Sequence, residues 1–328
     1  MKELTYVRAT SAAEAVEAVT DDPRAQYLGG GTNLTDHLKL GITTPEVLVD
    51  VSRLPLDTVE DTGTGLRIGA AVRNSDLAAH PVVRSDFPTL SRALLAGASG
   101  QIRNQATTAG NLLQRTRCVY FQDPTTPCNK REPGSGCSAI EGYGRYNAVL
   151  GASEACVAVH PSDMAVAMSA LDAQVVVLGA EGERRIPLED LHRLPGHHPE
   201  RDTTLAHGEL ITAVELSRSG AARTSTYEKA RDRASYAFAL VSVAAALELD
   251  GDRVADVRIA WGGAAHKPWR ARTAENLLRD GPLDEQRVRD AVAEELRAAA
   301  TGPDSDYKLA MLTGITARAL VRLSEATS

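Results

Sequence analysis

Two hydrophobic periods alternate along the chain, and each change of period marks an element. Residues 10–19, TSAAEAVEAV, open on Thr10 and Ser11 and repeat Ala and Val at helical spacing, which predicts a capped helix. QYLGGGTNLTDHLKLG (26–41) reads as a short strand, a three-glycine turn and a helix closed by Gly41. The apolar runs EVLVDV (46–51) and GLRIGAAV (65–72) predict further strands. A helix capped at Asn74 or Ser75 and another across 87–97 follow. PSDMAVAMSALDA (161–173) returns to helical spacing, with Ala, Met and Leu filling one face. Strands are then expected at QVVVLG (174–179), RRIPL (184–188) and ELITAVEL (209–216).

After Ser219 the texture changes. Residues 224–263 alternate as β structure with a hairpin signal at Asp250-Gly251, and 268–328 reads as three helices with Arg/Glu-rich outer faces. We place a domain boundary near 218–222. Between 99 and 160 neither period holds, and the segment is rich in Gly, Pro, Asn and Arg. An irregular stretch of that length inside a compact protein needs a function or a staple.

Composition narrows the classes. The 328 residues suit about two domains at roughly 150 residues each. Hydrophobic (43%) and charged (24%) shares are ordinary for a soluble globular protein. A net charge of −7 argues against a nucleic-acid partner, and the few aromatics (3 Phe, 2 Trp, 8 Tyr) offer no base-stacking platform. The longest near-apolar run, Ala237 to Leu247, is far shorter than the ~20 residues of a membrane span, so no membrane insertion is expected. The amino-terminal MKELTYVRAT has no apolar h-region and no twin arginine, which makes a cytoplasmic location the default expectation.

Three places carry candidate chemistry. In Leu28-Gly29-Gly30-Gly31-Thr32-Asn33-Leu34, glycines between a strand and a helix let backbone N–H groups turn toward an anion, while the helix start adds its positive dipole end. The alternative is a tight turn between a strand and a helix, since neither GxGxxG nor a Walker motif is present. Thr107-Thr108-Ala109-Gly110-Asn111-Leu112 is a second glycine-containing turn, which alone is most simply an Asx turn. Two such turns in a mixed αβ chain point to a dinucleotide grip.

The third place is Cys118, Cys128, Cys137 and Cys156, spaced C-x9-C-x8-C-x18-C within 39 residues. Disulfides are the bland reading, but a large acidic chain without a leader is kept reduced. Zinc lacks its tight C-x2-4-C knuckle here. An iron–sulfur cluster fits four thiolates on irregular loops among Arg and Lys, and spacing alone leaves the metal open. Of the remaining polar residues, Asp163 reads as a first-turn helix acid and Lys229 as a solvated strand charge. His37, His160, His207 and the pair His197-His198 have no metal spacing around them, and no hydrolytic motif is present.

The ordered set GGGTNL (29–34), TTAGNL (107–112), PSD (161–163), ELITAVEL (209–216) and YEKARDR (227–233) resembles the FAD-binding medium subunits of the molybdenum hydroxylases, the xanthine dehydrogenase, aldehyde oxidoreductase and carbon monoxide dehydrogenase group. The resemblance covers essentially the whole chain. It implies an α+β fold: a two-subdomain FAD-binding domain of the vanillyl-alcohol-oxidase-like PCMH type over 1–220 (subdomains about 1–52 and 53–220). A β-sheet plus three-helix domain, like the carboxy-terminal domain of the carbon monoxide dehydrogenase flavoproteins, is implied over 221–328.

The same resemblance implies that Leu28 to Leu34 wrap the FAD pyrophosphate. Thr108, Ala109, Gly110, Asn111 and Leu112 form a second flavin loop, and Asp163, Ile211 and Lys229 touch FAD. No residue need act as acid or base on the organic substrate. The segment 117–163, with its loop 115–160, is similar to that in flavin subunits of periplasmic aldehyde oxidoreductases, which bind a [4Fe–4S] cluster that most of the family lacks. By that likeness Cys118, Cys128, Cys137 and Cys156 are its ligands. The implied partners are a large molybdopterin-binding subunit and a small [2Fe–2S] subunit, with an external electron acceptor and, by co-export, a periplasmic alternative for location. NAD-reducing relatives place an aromatic beside the flavin shortly before the second turn. No Phe, Tyr or Trp lies between Phe87 and Tyr120 here, which argues against an NAD face.

Overall fold

Parallel pairing organises the first fifty residues. A computed structural model describes residues 2–302 and 304–327. In it β1 (Thr5–Arg8), β2 (Ala25–Leu28) and β3 (Val47–Asp50) form a parallel sheet in the order β1-β3-β2. Parallel neighbours need crossovers, and the alternating Ala/Val run supplies the first as helix Ala12–Thr20. Its Ser11 side chain accepts the Glu14 N–H, and its Ala15, Val16 and Val19 are buried. The second is helix Leu34–Leu40, which ends at Gly41 with φ 72°, a left-handed cap that glycine adopts without steric cost.

The next sheet is antiparallel: β4 (Val59–Asp61), β5 (Gly65–Gly69), β6 (Gln174–Gly179), β7 (Gly182–Pro187) and β8 (Leu210–Ser217), ordered β4-β5-β8-β6-β7. The third comprises β9 (Ser225–Ala230), β10 (Val241–Asp250), β11 (Arg253–Gly262) and β12 (Trp269–Arg270), ordered β12-β11-β10-β9. Gly251 (φ 63°) turns the β10–β11 hairpin where Asp250-Gly251 predicted it. Helices Arg272–Leu278, Glu285–Glu295 and Tyr307–Thr327 cover that sheet, and Trp261, Ile259 and Leu320 lie in the core between them. The α+β architecture is thus the one expected.

Helix Asp163–Ala170 departs from expectation. One apolar face was predicted, yet all eight residues are buried. The helix packs on helix Pro88–Ala96 and on β10 and β11, so it fills the seam between the second and third sheets. Between 99 and 160 the helices Gly100–Gln105, Thr108–Leu112 and Val119–Gln122 are short, and no regular element follows until Asp163.

Candidate functional site

The two glycine turns meet face to face. Gly31 has φ 74°, and a Cβ on Gly30 would collide with the Gln105 carbonyl oxygen, so the Gly29–Gly31 turn can lie against the 105–107 segment only without side chains. Gln105 Nε2 donates to the Gly30 carbonyl at 3.3 Å. Thr107 caps helix Thr108–Leu112, its Oγ1 accepting the Gly110 N–H at 3.2 Å. Among the described residues no acceptor takes the backbone N–H of Gly30, Gly31, Thr32 or Asn33.

The turns border a cavity of about 650 Å³, within the usual range for small-molecule pockets. Thr32, Asn33, Gly110, Asn111, Cys118, Asp163 and Lys229 line it. The other proposed flavin residues stand off the wall. Leu28 ends β2, Gly29 to Gly31 shape the turn, and Leu34 begins the next helix. Thr108 and Leu112 are buried behind the wall with Ala109 packed beside them. Ile211 lies in β8 with its side chain in the core.

Lys229 corrects the sequence reading: it is not a solvated charge. Helices Pro88–Ala96 and Tyr307–Thr327 cover both sides of β9, and the Lys229 side chain is 4% exposed. A buried ammonium needs partners. Lys229 Nζ donates to Asp163 Oδ2 at 2.7 Å and to the Ala96 carbonyl at 3.2 Å. Asp163 also accepts the Tyr227 hydroxyl, whose pKa burial pushes well up, so that proton stays in place. Ser162 caps the Asp163 helix and donates to Asn111 Oδ1 at 2.6 Å, while Asn111 Nδ2 donates to Asn74 Oδ1 at 2.6 Å.

Among the described residues, two buried nitrogen donors of cavity-lining side chains have no partner, Asn74 Nδ2 and Arg117 Nε. Burial lowers the Arg117 pKa, and its guanidinium stacks over Phe238 at 5.4 Å. Orphaned buried donors are rare, and here they belong to side chains that line a cavity, a pattern that suits an acceptor-rich ligand. Unclaimed backbone N–H groups, an ammonium and a guanidinium fit the phosphates and carbonyls of FAD. Sequence reasoning missed both residues: Asn74 looked like a helix cap, and Arg117 is one arginine among many.

The cysteine loop is built differently. All four thiols are free of disulfides. Cys128 and Cys137 face each other across a β-bridge, Ser153 and Cys156 close a turn, and Asn129 Nδ2 ties the two by donating to the Ala155 carbonyl at 3.0 Å. Cys137 and Cys156 share a side-chain hydrogen bond, while Cys118 lies within electrostatic reach of Cys128 and Cys137. Backbone N–H groups of Tyr120 and Phe121 approach Cys118, those of Ala139, Ile140 and Val157 approach Cys137, and that of Ala158 approaches Cys156. The bond to Cys156 lowers the Cys137 pKa to about 6, whereas the same bond and burial raise that of Cys156. Burial raises the Cys118 pKa. Among the described residues no three His, Cys, Asp or Glu side chains converge to hold a single metal ion.

Charges fix the loop from behind. The buried Lys130 donates from Nζ to the Pro199 carbonyl at 2.7 Å and to Asp202, which also accepts Arg115 Nε at 2.6 Å. Burial alone would raise the Asp202 pKa, but the two cations outweigh it and hold it at about 2. His160 and His192 stack at 4.3 Å and both bond the Leu112 carbonyl, a structural role.

The chain is similar to known proteins along nearly its whole length. Residues 2–218 match the family described as the FAD binding domain in molybdopterin dehydrogenase, and 225–323 match the CO dehydrogenase flavoprotein C-terminal domain. The chain is 57% identical over 283 residues to the aldehyde oxidoreductase FAD-binding subunit PaoB of Escherichia coli, covering 86% of this chain and 87% of that protein. It is 28% identical to the glyceraldehyde dehydrogenase medium chain of Sulfolobus acidocaldarius, over 93% and 91% of the two chains. The fold matches carbon monoxide dehydrogenase from Hydrogenophaga pseudoflava with a TM-score of 0.76 at 24% identity, covering 97% and 96%.

Proposed function

The chain belongs to the FAD-binding medium subunits of the molybdenum hydroxylase family, and on that premise we propose that it is the electron-transfer flavoprotein of an aldehyde-oxidising assembly. Its partners are then a large molybdopterin-binding subunit and a small [2Fe–2S] subunit, with an external acceptor taking the electrons. The 1–220 region holds FAD and 221–328 closes the site. The observation that carries the reading is the cavity where the two glycine turns, the Asp163–Lys229 pair and two orphaned donors converge.

FAD supplies two-electron acceptance and one-electron release when bound. The chain's own residues hold and polarise it. Gly29 to Asn33 present backbone N–H groups for the pyrophosphate, with Leu28 and Leu34 at the ends of the turn. Gly110 and Asn111 form the facing wall, positioned by Thr108, Ala109 and Leu112. Lys229 Nζ commits two protons, to Asp163 and Ala96, which leaves its third N–H for the cavity. Ile211 supports the site from within β8.

We further propose that Cys118, Cys128, Cys137 and Cys156 hold a [4Fe–4S] cluster, a one-electron centre beside the flavin. Ligands of a four-iron cube each bind a different iron, so they need not converge on one point. Convergent backbone N–H groups on the sulfurs, a nearby ammonium and an otherwise irregular loop support this reading.

Affinity purification of the tagged full chain from its native host tests the assembly. The expected result is a complex with a larger molybdenum-containing and a smaller [2Fe–2S] subunit, whose flavin absorbance bleaches anaerobically on adding an aldehyde. A chain that purifies alone and oxidises a substrate by itself would make it a stand-alone flavin oxidoreductase.

A further inference from the structure

The segment after β11 crosses behind the cysteine loop and is bolted to it. Ala264 accepts the N–H groups of Val149 (2.8 Å) and Leu150 (3.0 Å) at its carbonyl, and Ala265 accepts that of His160 (2.9 Å). Lys308 Nζ, from helix Tyr307–Thr327, donates to both Asn147 and Gly263 carbonyls at 2.8 Å. The next residue on this platform is His266, 8% exposed, with Nε2 3.2 Å from Cys156 Sγ. Among the described residues it is the only side chain outside the four cysteines that bonds one of their sulfurs. The backbone supplies all the other approaches.

The ring's two nitrogens assign the direction of that bond. A metal-bound thiolate has no proton and can only accept, so Nε2 must carry the hydrogen. A neutral imidazole then leaves Nδ1 bare. Nδ1 of His266 is buried and has no partner among the described residues, so no acceptor there competes to hold the hydrogen on that nitrogen.

We infer that His266, reaching across from the carboxy-terminal region, is a positioning residue that raises the reduction potential of the proposed cluster by donating Nε2–H to Cys156 Sγ. The inference rests on the cluster reading above. Donation draws electron density from the thiolate and away from iron, which favours the more negative, reduced cluster. The couple is a single-electron one: the cluster gains one electron from the reductant, no bond breaks, and His266 keeps its proton. The flavin-binding region supplies the ligands, and the other domain sets their potential.

The test uses the full chain with His266→Phe, which fills the space without a donor, and His266→Gln, which restores an N–H. Iron and flavin are counted per chain, and the cluster is titrated with dithionite under EPR detection. The expected result is four irons and one flavin in each, and a reduction equilibrium about tenfold less favourable in His266→Phe, about 59 mV for a one-electron couple. His266→Gln recovers most of that shift. A loaded His266→Phe protein with the wild-type midpoint overturns the inference while leaving the cluster reading intact. Should both variants lose iron, pulsed EPR of reduced wild-type protein labelled with 15N-histidine decides: a weak histidine nitrogen coupling supports the hydrogen bond, and its absence overturns it. Wild-type chain without iron on its cysteines instead removes the cluster reading itself.

Discussion

The flavin cradle and the cysteine loop lie against each other, and Cys118 lines the cavity that the cradle borders. They are held by opposite means. The cradle is backbone geometry: glycines at Gly30 and Gly31, a Thr107 cap, and turns that continue directly from β2 and into short helices. The loop has almost no regular structure and depends on groups brought from far along the sequence, the side chains of the Lys130–Asp202–Arg115 triad and the backbone carbonyls of the 264–265 platform. A site built from local turns is written in adjacent residues, whereas a site built from distant bonds is not.

The sharpest way to separate the two is Asp202→Asn. It leaves the buried Lys130 without its counter-charge, and breaking such a pair costs about 3–5 kcal/mol. Thermal unfolding is expected to show that loss, with iron content falling and flavin content unchanged. Gly30→Ala strikes the other side. The added methyl meets the fixed Gln105 carbonyl, an overpacking cost of about 1–3 kcal/mol. Flavin retention through gel filtration should fall at least tenfold while iron content holds.

A pH series probes the same triad more gently. Asp202 titrates at about 2 in the folded chain against an ordinary 3.8. The stability from its ionisation is therefore present above pH 4 and is lost as the pH falls toward 2, at most about 2.5 kcal/mol at 1.36 kcal/mol per pH unit. Near-UV circular dichroism melts between pH 2.5 and 5 should show that decline in the wild type and a flatter profile in Asp202→Asn. The smallest effect is expected from Thr107→Ala, which removes one cap at a cost of about 1 kcal/mol and lowers the flavin affinity without touching iron.

Legibility in the sequence follows the same division. Helix Ala12–Thr20, the Gly41 cap and the Gly251 hairpin follow from residues within a few positions of one another. The two glycine turns were visible as turns, yet their contact through Gly30 and Gln105 joins residues 75 positions apart. Alternation along β9 treated Lys229 as solvated because nothing in the strand reveals the helices that cover it. For the same reason helix Asp163–Ala170 looked one-sided, although all its faces are buried. Arg117 and His266 had no local signature, and that of Asn74 was only a helix cap; their meaning comes from the cavity and the sulfur beside them.

One chain is proposed to hold both FAD and a four-iron cluster. The most direct test is the anaerobic absorption spectrum of the purified full chain, before and after dithionite, with flavin, iron and zinc quantified on the same sample. The expected result is structured flavin bands over a broad iron–sulfur shoulder, both bleaching, with one FAD and about four irons per chain, one iron for each cysteine ligand. Flavin without iron would contradict the cluster, and a colourless chain with stoichiometric zinc that refuses FAD would contradict the whole.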